Sequence, residues 1–434
     1  MSSRHRPKIG YGRTPATDEY LDYGELSRIA LGPGAPLTEQ WQAAGLELPD
    51  ESSMRQYRLD RVRNQLRANH CDAILLYDPI NIRYATDTTN MSLWTSHNPV
   101  RYCLVFTDGP VIMFEFSHGE FLDVYSENVD EIRPGHAYSY MYVGERTDEV
   151  ALRWADEIAA LLAEHGRGDA RLAIDTGEID GLRALDQRGV DVVSGMWMME
   201  EARLIKSADE LKALRCAAHA CMASIDDMRN VFEPGITEMA LWAELQRGNF
   251  ARHGEWIETR ILASGPRTNP WYHEASSRVI EAGDLMGFDT DMIGAYGMCI
   301  DMSRTWLCGA GTPSADQQST YSLALEQVER NLELFTPGTS YRDITFGAWY
   351  PSIDEYNKYT VIAHGAGMCD EYPSVFHRDA WDAVGSDGEL KPGMVMCVEA
   401  FVGPKSGGEG VKLEQQIVMT DSGYELLTPY PMEL

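Results

Sequence analysis

Six residues in the second half of the chain could form one reactive centre. Asp289 and Asp291 lie in FDTD, Asp301 in CIDMSRT, His364 in AHGAG, Glu399 in CVEAF and Glu414 in KLEQQIV. Each sits in or beside an apolar, strand-like run. A carboxylate in a buried strand is costly unless it is paired or coordinated. Five of them brought together cannot all ionise without cations to offset their repulsion. Two divalent metal ions would supply that charge, and carboxylates with one imidazole suit Fe, Mn, Co or Zn. Side chains alternate along a strand, so Asp289 and Asp291 are expected to share a face. Arg304, in MSRTW, is expected to pair with a ligand carboxylate. The chain has no G-x-S-x-G elbow, Walker A loop, H-E-x-x-H or G-x-G-x-x-G sequence.

The elements that must position these residues follow from hydrophobic period and punctuation. Short apolar runs at Asp72–Tyr77, Tyr102–Phe106, Val111–Phe114 and Leu172–Ile174 read as buried strands. Helical patterns cover Met54–Asn69 and Val150–Ala163. Residues 51–200 therefore read as an α/β domain. Residues 1–50, rich in Gly, Pro and polar residues, read as an N-terminal extension with a short helix near Leu37–Ala44. Lys206–Val231 reads as a strong helix, with Ser207 and Glu210 spaced as a capping box. It opens a domain over residues 201–434. There the expected helices are Glu238–Arg252 and Ala315–Leu334. The expected strands are Thr259–Ala263, Leu285–Ile293, Ile300–Leu307, Thr360–Ala363, Met394–Val402 and Val411–Thr420. Strand runs between helices favour an α+β domain.

Composition narrows the function classes. Of 434 residues, 37 are Lys or Arg and 67 are Asp or Glu, a net charge of −30. A general nucleic-acid binder needs a basic surface, so that class is excluded. The same charge argues against an anionic membrane and permits a small cationic or zwitterionic substrate. The eight cysteines form no C-x-x-C pair and read as buried free thiols of a cytoplasmic protein. No apolar run is long enough for a membrane helix, and the start lacks the apolar core of a secretory signal.

The ordered series GFDTDMIGAYGMCIDMSRTW, HGAG, CVEAF and KLEQQIV resembles the metal-binding series of the pita-bread metallopeptidase superfamily, which holds methionine aminopeptidase, prolidase and creatinase. IKSADELKALRCAAHAC resembles its entry into the catalytic domain. The resemblance implies a creatinase-like N-terminal domain and a C-terminal pita-bread domain. NIRYATDTTNMSLWTSHNP, GEWIETRILASGPRTNPW, FDTDMIGAYG and HGAGMCDEYP resemble the dimethylsulfoniopropionate lyases of this fold more closely. Asp291 to Asp301 is ten residues and Asp289 to Asp301 is twelve, one to either side of the peptidase spacing.

By that likeness Asp289, Asp291, Asp301, His364, Glu399 and Glu414 are six ligands of a two-metal site, with iron the metal implied. Asp370 resembles the lyases' general base. Trp94 and Tyr359 match aromatic positions that hold substrate, with Trp271 and Tyr272 as further candidates. The substrate would be a small zwitterionic sulfonium acid, and the protein a homodimer with Trp94 acting in either subunit. His273 matches a peptidase position that contacts substrate. It keeps a metallohydrolase open as the alternative, either an Xaa-Pro dipeptidase or a creatinase-like amidinohydrolase. His377, in VFHRDAW, reads chiefly as structural.

Overall fold

The computed structural model describes residues 8–9, 32–167 and 170–434. The rest of the N-terminal extension, up to residue 31, lies outside the described residues. The chain divides into two compact units. Residues 50–203 belong to the first, and residues 32–49 join 204–434 in the second.

The described residues of the first unit form a seven-stranded mixed sheet. Its order is Lys8–Ile9, Glu131–Pro134, Val111–Glu115, Tyr102–Phe106, Ala73–Leu76, Arg171–Ile174, Asp191–Ser194. The central three strands pair antiparallel, and the outer neighbours add parallel. The helix Thr147–His165 lays Val150, Trp154, Ile158 and Leu161 on this sheet at three- and four-residue spacing. The strands Glu131–Pro134 and Asp191–Ser194 were not anticipated. Neither is an apolar run, and both form because a parallel neighbour completes their backbone bonds.

In the second unit the helix Ala208–Asn230 begins at a capping box. The Ser207 hydroxyl accepts from the Glu210 amide, and the Glu210 carboxylate accepts from the Ser207 amide. A second such box opens Ala315–Leu332, with Ser314 and Gln317. The long strands Val395–Pro404 and Val411–Met419 pair antiparallel at the centre of a six-stranded sheet. Val361–Ala366 lies beside the first of them, and Asp370–Phe376 beside that. Alternation along these strands divides the sheet's two faces. Met396, Val398, Ala400, Val402, Leu413 and Ile417 join the apolar core with Val328, Leu332 and Phe335. The opposite face carries His364, Cys397, Glu399, Lys412, Glu414 and Gln416.

Two expected strands are each broken in two. Leu285–Ile293 is Leu285–Asp289 followed by Met292–Ile293, and Ile300–Leu307 is Cys299–Ile300 followed by Ser303–Leu307. Asp291 sits in the first break with φ +35°, and Asp301 sits in the second. The premise that Asp289 and Asp291 share a face through strand alternation is therefore overturned, because the strand does not continue through Asp291. Asp370, in a stretch with no anticipated element, opens a strand that pairs back on the His364 strand.

Candidate metal centre

The polar face of the six-stranded sheet gathers its acids by register. Glu399 lies directly opposite Glu414, and His364 directly opposite Cys397. Lys412 precedes Glu414 by two residues and so points the same way. In a separate three-stranded sheet, Leu285–Asp289 pairs antiparallel with Ser303–Leu307 and sets Asp289 opposite Ser303. Asp301 and Asp291 reach in from the two breaks. All six expected ligands lie in the second unit and are buried.

His364 is the hub. Its Nε2 lies 3.1 Å from Glu399 Oε1, 3.5 Å from Asp301 Oδ2 and 3.9 Å from Glu414 Oε1. Its Nδ1 lies 3.6 Å from Asp370 Oδ1. Donor atoms of Asp301, His364, Cys397 and Glu414 all fall within 4.8 Å of one another, and so do those of Asp291, Asp301 and Asp370. Asp301 belongs to both groups. The Thr259 hydroxyl donates to Asp291 Oδ2 at 2.5 Å and aims that carboxylate.

Sequence reasoning missed Lys412. Its ammonium, fully buried, lies 2.5 Å from Glu399 Oε2, 3.1 Å from Asp289 Oδ2 and 3.3 Å from Glu414 Oε2. It also donates to Ser303 Oγ at 2.7 Å. The Ser303 oxygen is 2.6 Å from Asp289 Oδ1 and 2.9 Å from Glu414 Oε2, so its single proton serves one of the two. The signal was in the sequence, since K-L-E places a lysine on the same strand face as Glu414.

The electrostatics of this cluster call for more cations than the chain provides. Burial, then the charges of Asp289 and Asp370, pushes the Asp291 carboxyl up to about 8. Burial and neighbouring carboxylates likewise push Asp301 and Glu414 well above the usual range. Asp289 alone is held at about 2: burial opposes ionisation, but Lys412 and the Ser303 hydroxyl outweigh it. Two glutamates facing each other across a sheet are destabilising unless something positive lies between them. Glu414 Oε1 is buried and makes no hydrogen bond among the described residues. An acceptor left over in a pocket of carboxylates and one imidazole is the pattern a divalent-metal site requires, so these residues fit such ions.

Arg304 departs from expectation. Its guanidinium donates to the backbone carbonyls of Glu414 (2.6 Å), Ser303 (2.8 Å) and Tyr430 (2.6 Å), and to Gln415 Oε1 (2.8 Å), rather than to a ligand carboxylate. Neighbouring residues on a strand face opposite ways, so Ser303 points at the acids and Arg304 points away.

The aromatic candidates divide. Tyr359 lies at the site, its ring centroid 4.5 Å from the Lys412 ammonium. Trp271 is buried, 5.8 Å from the same ammonium and 5.8 Å from the Phe401 ring. His273 is half-buried, with Nδ1 3.0 Å from the Pro270 carbonyl. Trp94 is half-buried on the one-turn helix Ser92–Thr95 of the first unit. His377 is buried edge-on against Tyr350 and held neutral. Burial, then Lys358, pushes its imidazole down to about 4.

Comparison with known proteins agrees with this architecture. Residues 212–421 match the model of metallopeptidase family M24, and residues 58–205 match the creatinase/prolidase N-terminal domain. The dimethylsulfoniopropionate lyase DddP of Roseovarius nubinhibens is 40% identical over 415 residues, 94% of this chain and 93% of the relative. That of Roseobacter denitrificans is 39% identical over the same span. Among solved structures, the Xaa-Pro dipeptidase from Bacillus anthracis superposes with TM-score 0.70 at 24% identity, over 88% of this chain and 99% of that one. The prolidase from Pyrococcus horikoshii OT3 gives TM-score 0.70 at 20% identity, over 87% and 99%. These likenesses show the fold alone. The first unit is the creatinase-like α/β domain and the second the pita-bread domain, in a family defined by metal-dependent enzymes.

Proposed function

The chain belongs to the DddP lyases within metallopeptidase family M24, and we propose that it cleaves dimethylsulfoniopropionate to dimethyl sulfide and acrylate. It is a carbon–sulfur lyase. The observation that carries the substrate is 40% and 39% identity to two such lyases over 94% of the chain, joined to an aspartate beside the cluster that can take a proton.

The reaction is a β-elimination. A base removes a proton from the carbon beside the substrate carboxylate, the carbon–carbon double bond forms, and the carbon–sulfur pair leaves with sulfur. Asp370 is the base in this reading. It stands at the first residue of its strand, partly open to solvent, with Oδ1 3.6 Å from His364 Nδ1. Burial, opposed by His364, pushes its carboxyl above the ordinary aspartate range, which strengthens it as a proton acceptor, and it can reach a substrate entering from solvent. Divalent metal ions held by Asp289, Asp291, Asp301, His364, Glu399 and Glu414, two of them and of iron in this reading, supply Lewis acidity at the substrate carboxylate when bound. Lys412 holds Asp289, Glu399 and Glu414 in place and offsets one of their charges. Trp94, Tyr359, Trp271 and His273 are the residues proposed to surround the substrate.

The enzyme is further proposed to act as a cytoplasmic homodimer. All eight cysteines are free, seven of them buried, which fits a reducing compartment. Among the described residues no helix is long and apolar enough to cross a membrane.

The test is headspace dimethyl sulfide, with acrylate measured in solution, from purified metal-replete protein given dimethylsulfoniopropionate. Both products in equal amounts are expected. A folded, metal-loaded protein that releases neither would overturn the lyase reading, and Xaa-Pro dipeptides and guanidino acids would then be tried.

A further inference from the structure

The cationic end of a sulfonium acid needs an aromatic face that accepts charge without hydrating it. Two rings beside the acid cluster already face a cation. The Lys412 ammonium stands 4.5 Å from the Tyr359 centroid and 5.8 Å from that of Trp271. Trp271 is only 6% exposed. A second cation on those inner faces would meet Lys412 at short range, where water screens little and like charges repel strongly.

One neighbouring ring remains open. Tyr272 is 53% exposed, with its ring centroid 5.4 Å from that of Tyr359 and the two planes tilted by 32°. It is not a loose surface side chain. Its hydroxyl shares a 2.6 Å hydrogen bond with the Thr360 hydroxyl, the residue next to Tyr359. Its backbone φ is +76°, a region a tyrosine rarely adopts. Such residues persist where their surroundings over-determine them, and they cluster at ligand sites. Tyr272 is thus pinned in place, open to solvent, and on the edge of the aromatic group whose inner side Lys412 fills.

We propose that Tyr272 receives the substrate's sulfonium, and that Lys412 and Tyr272 together set its direction. The carboxylate enters toward the buried ammonium and the acid cluster, and the cation stays outside against the exposed ring. Tyr272 is then the residue that selects a cationic substrate over a neutral one of the same shape. This assignment rests on the lyase reading.

Two non-reacting analogues separate charge from shape. One is 3-(trimethylammonio)propanoate, which is cationic at the far end. The other is 4,4-dimethylpentanoate, its neutral isostere. Their binding is measured by calorimetry on metal-replete parent, Tyr272→Phe and Tyr272→Ala, alongside steady-state kinetics. In Tyr272→Ala the cationic analogue should bind about tenfold more weakly, and the neutral one should change by less than about twofold. KM for dimethylsulfoniopropionate should rise by about tenfold with kcat within about twofold. Tyr272→Phe, which keeps the ring, should stay within about threefold of the parent. Equal weakening of both analogues, or no weakening of either, overturns the Tyr272 assignment. If the parent releases sulfide and Tyr272→Ala keeps the parental KM, this assignment fails while the lyase reading stands. If the parent releases no sulfide, both fall.

Discussion

The Lys412 ammonium lies 2.5 Å from a Glu399 carboxylate oxygen, while Glu399 faces Glu414 directly across the sheet. A buried cation is thus set among acids that would otherwise repel one another. Counted formally, the five carboxylates proposed as ligands carry −5 when ionised and Lys412 adds +1, so the buried cluster has room for further positive charge.

Removing that ammonium should therefore be costly in the absence of metal. Breaking a buried ion pair on one side typically costs about 3–5 kcal/mol. Lys412→Met is expected to lower the unfolding free energy of chelator-treated protein by about that amount. Urea unfolding in chelator measures it. An unchanged midpoint and slope would show that Lys412 contributes nothing to the metal-free fold.

Glu414 carries the acceptor without a partner. Glu414→Gln should keep the fold and lose at least about half of the bound metal, because Glu414 is one of four residues whose donor atoms converge within reach of a single ion. Elemental analysis after gel filtration gives the metal-to-protein ratio. A parental ratio would exclude Glu414 as a ligand.

Asp370 is close enough to Asp291 and Asp301 to serve as a ligand as well as a base. The two roles separate by experiment. As a base, Asp370→Asn keeps its metal and loses about 10²–10⁴ in kcat. Loss of metal together with activity would move Asp370 into the ligand set.

His377 makes stability depend on pH. Its folded value is depressed to about 4, below the ordinary 6.5. The unfolded chain therefore binds the proton more readily, and stability is lost as pH falls from 6.5 toward 4. A depression of this size corresponds to about 3 kcal/mol. His377→Gln should show a smaller loss than the parent over that window, by about this amount, in denaturant unfolding at pH 7 and pH 4. Parallel losses would remove His377 as the cause.

The identity of the six acid and imidazole positions was legible because each sits in a short motif, and a polar residue in an apolar run is conspicuous. Their burial and gathering in one unit follow from sheet register that no local pattern contains. Where local rules were pushed further they failed in instructive ways. Alternation put Asp289 and Asp291 on one strand face, but the chain turns at Asp291 through a positive φ. Arg304 looked like a carboxylate partner, but its place next to Ser303 turns it to the other face, where it binds backbone carbonyls.

By itself, the sequence determined the two-part α/β and α+β order, the Ser207 capping box, the balance of charge and the ordered series of acids with one histidine, because these depend on residue type and short spacing. Only the tertiary structure decided that Lys412 would touch three of the acids, that Asp370 would stand 3.6 Å from His364, and that Tyr272 would be the ring left open. Each of those depends on which residues from distant strands meet, and strand register is set by packing of the whole sheet rather than by any one segment.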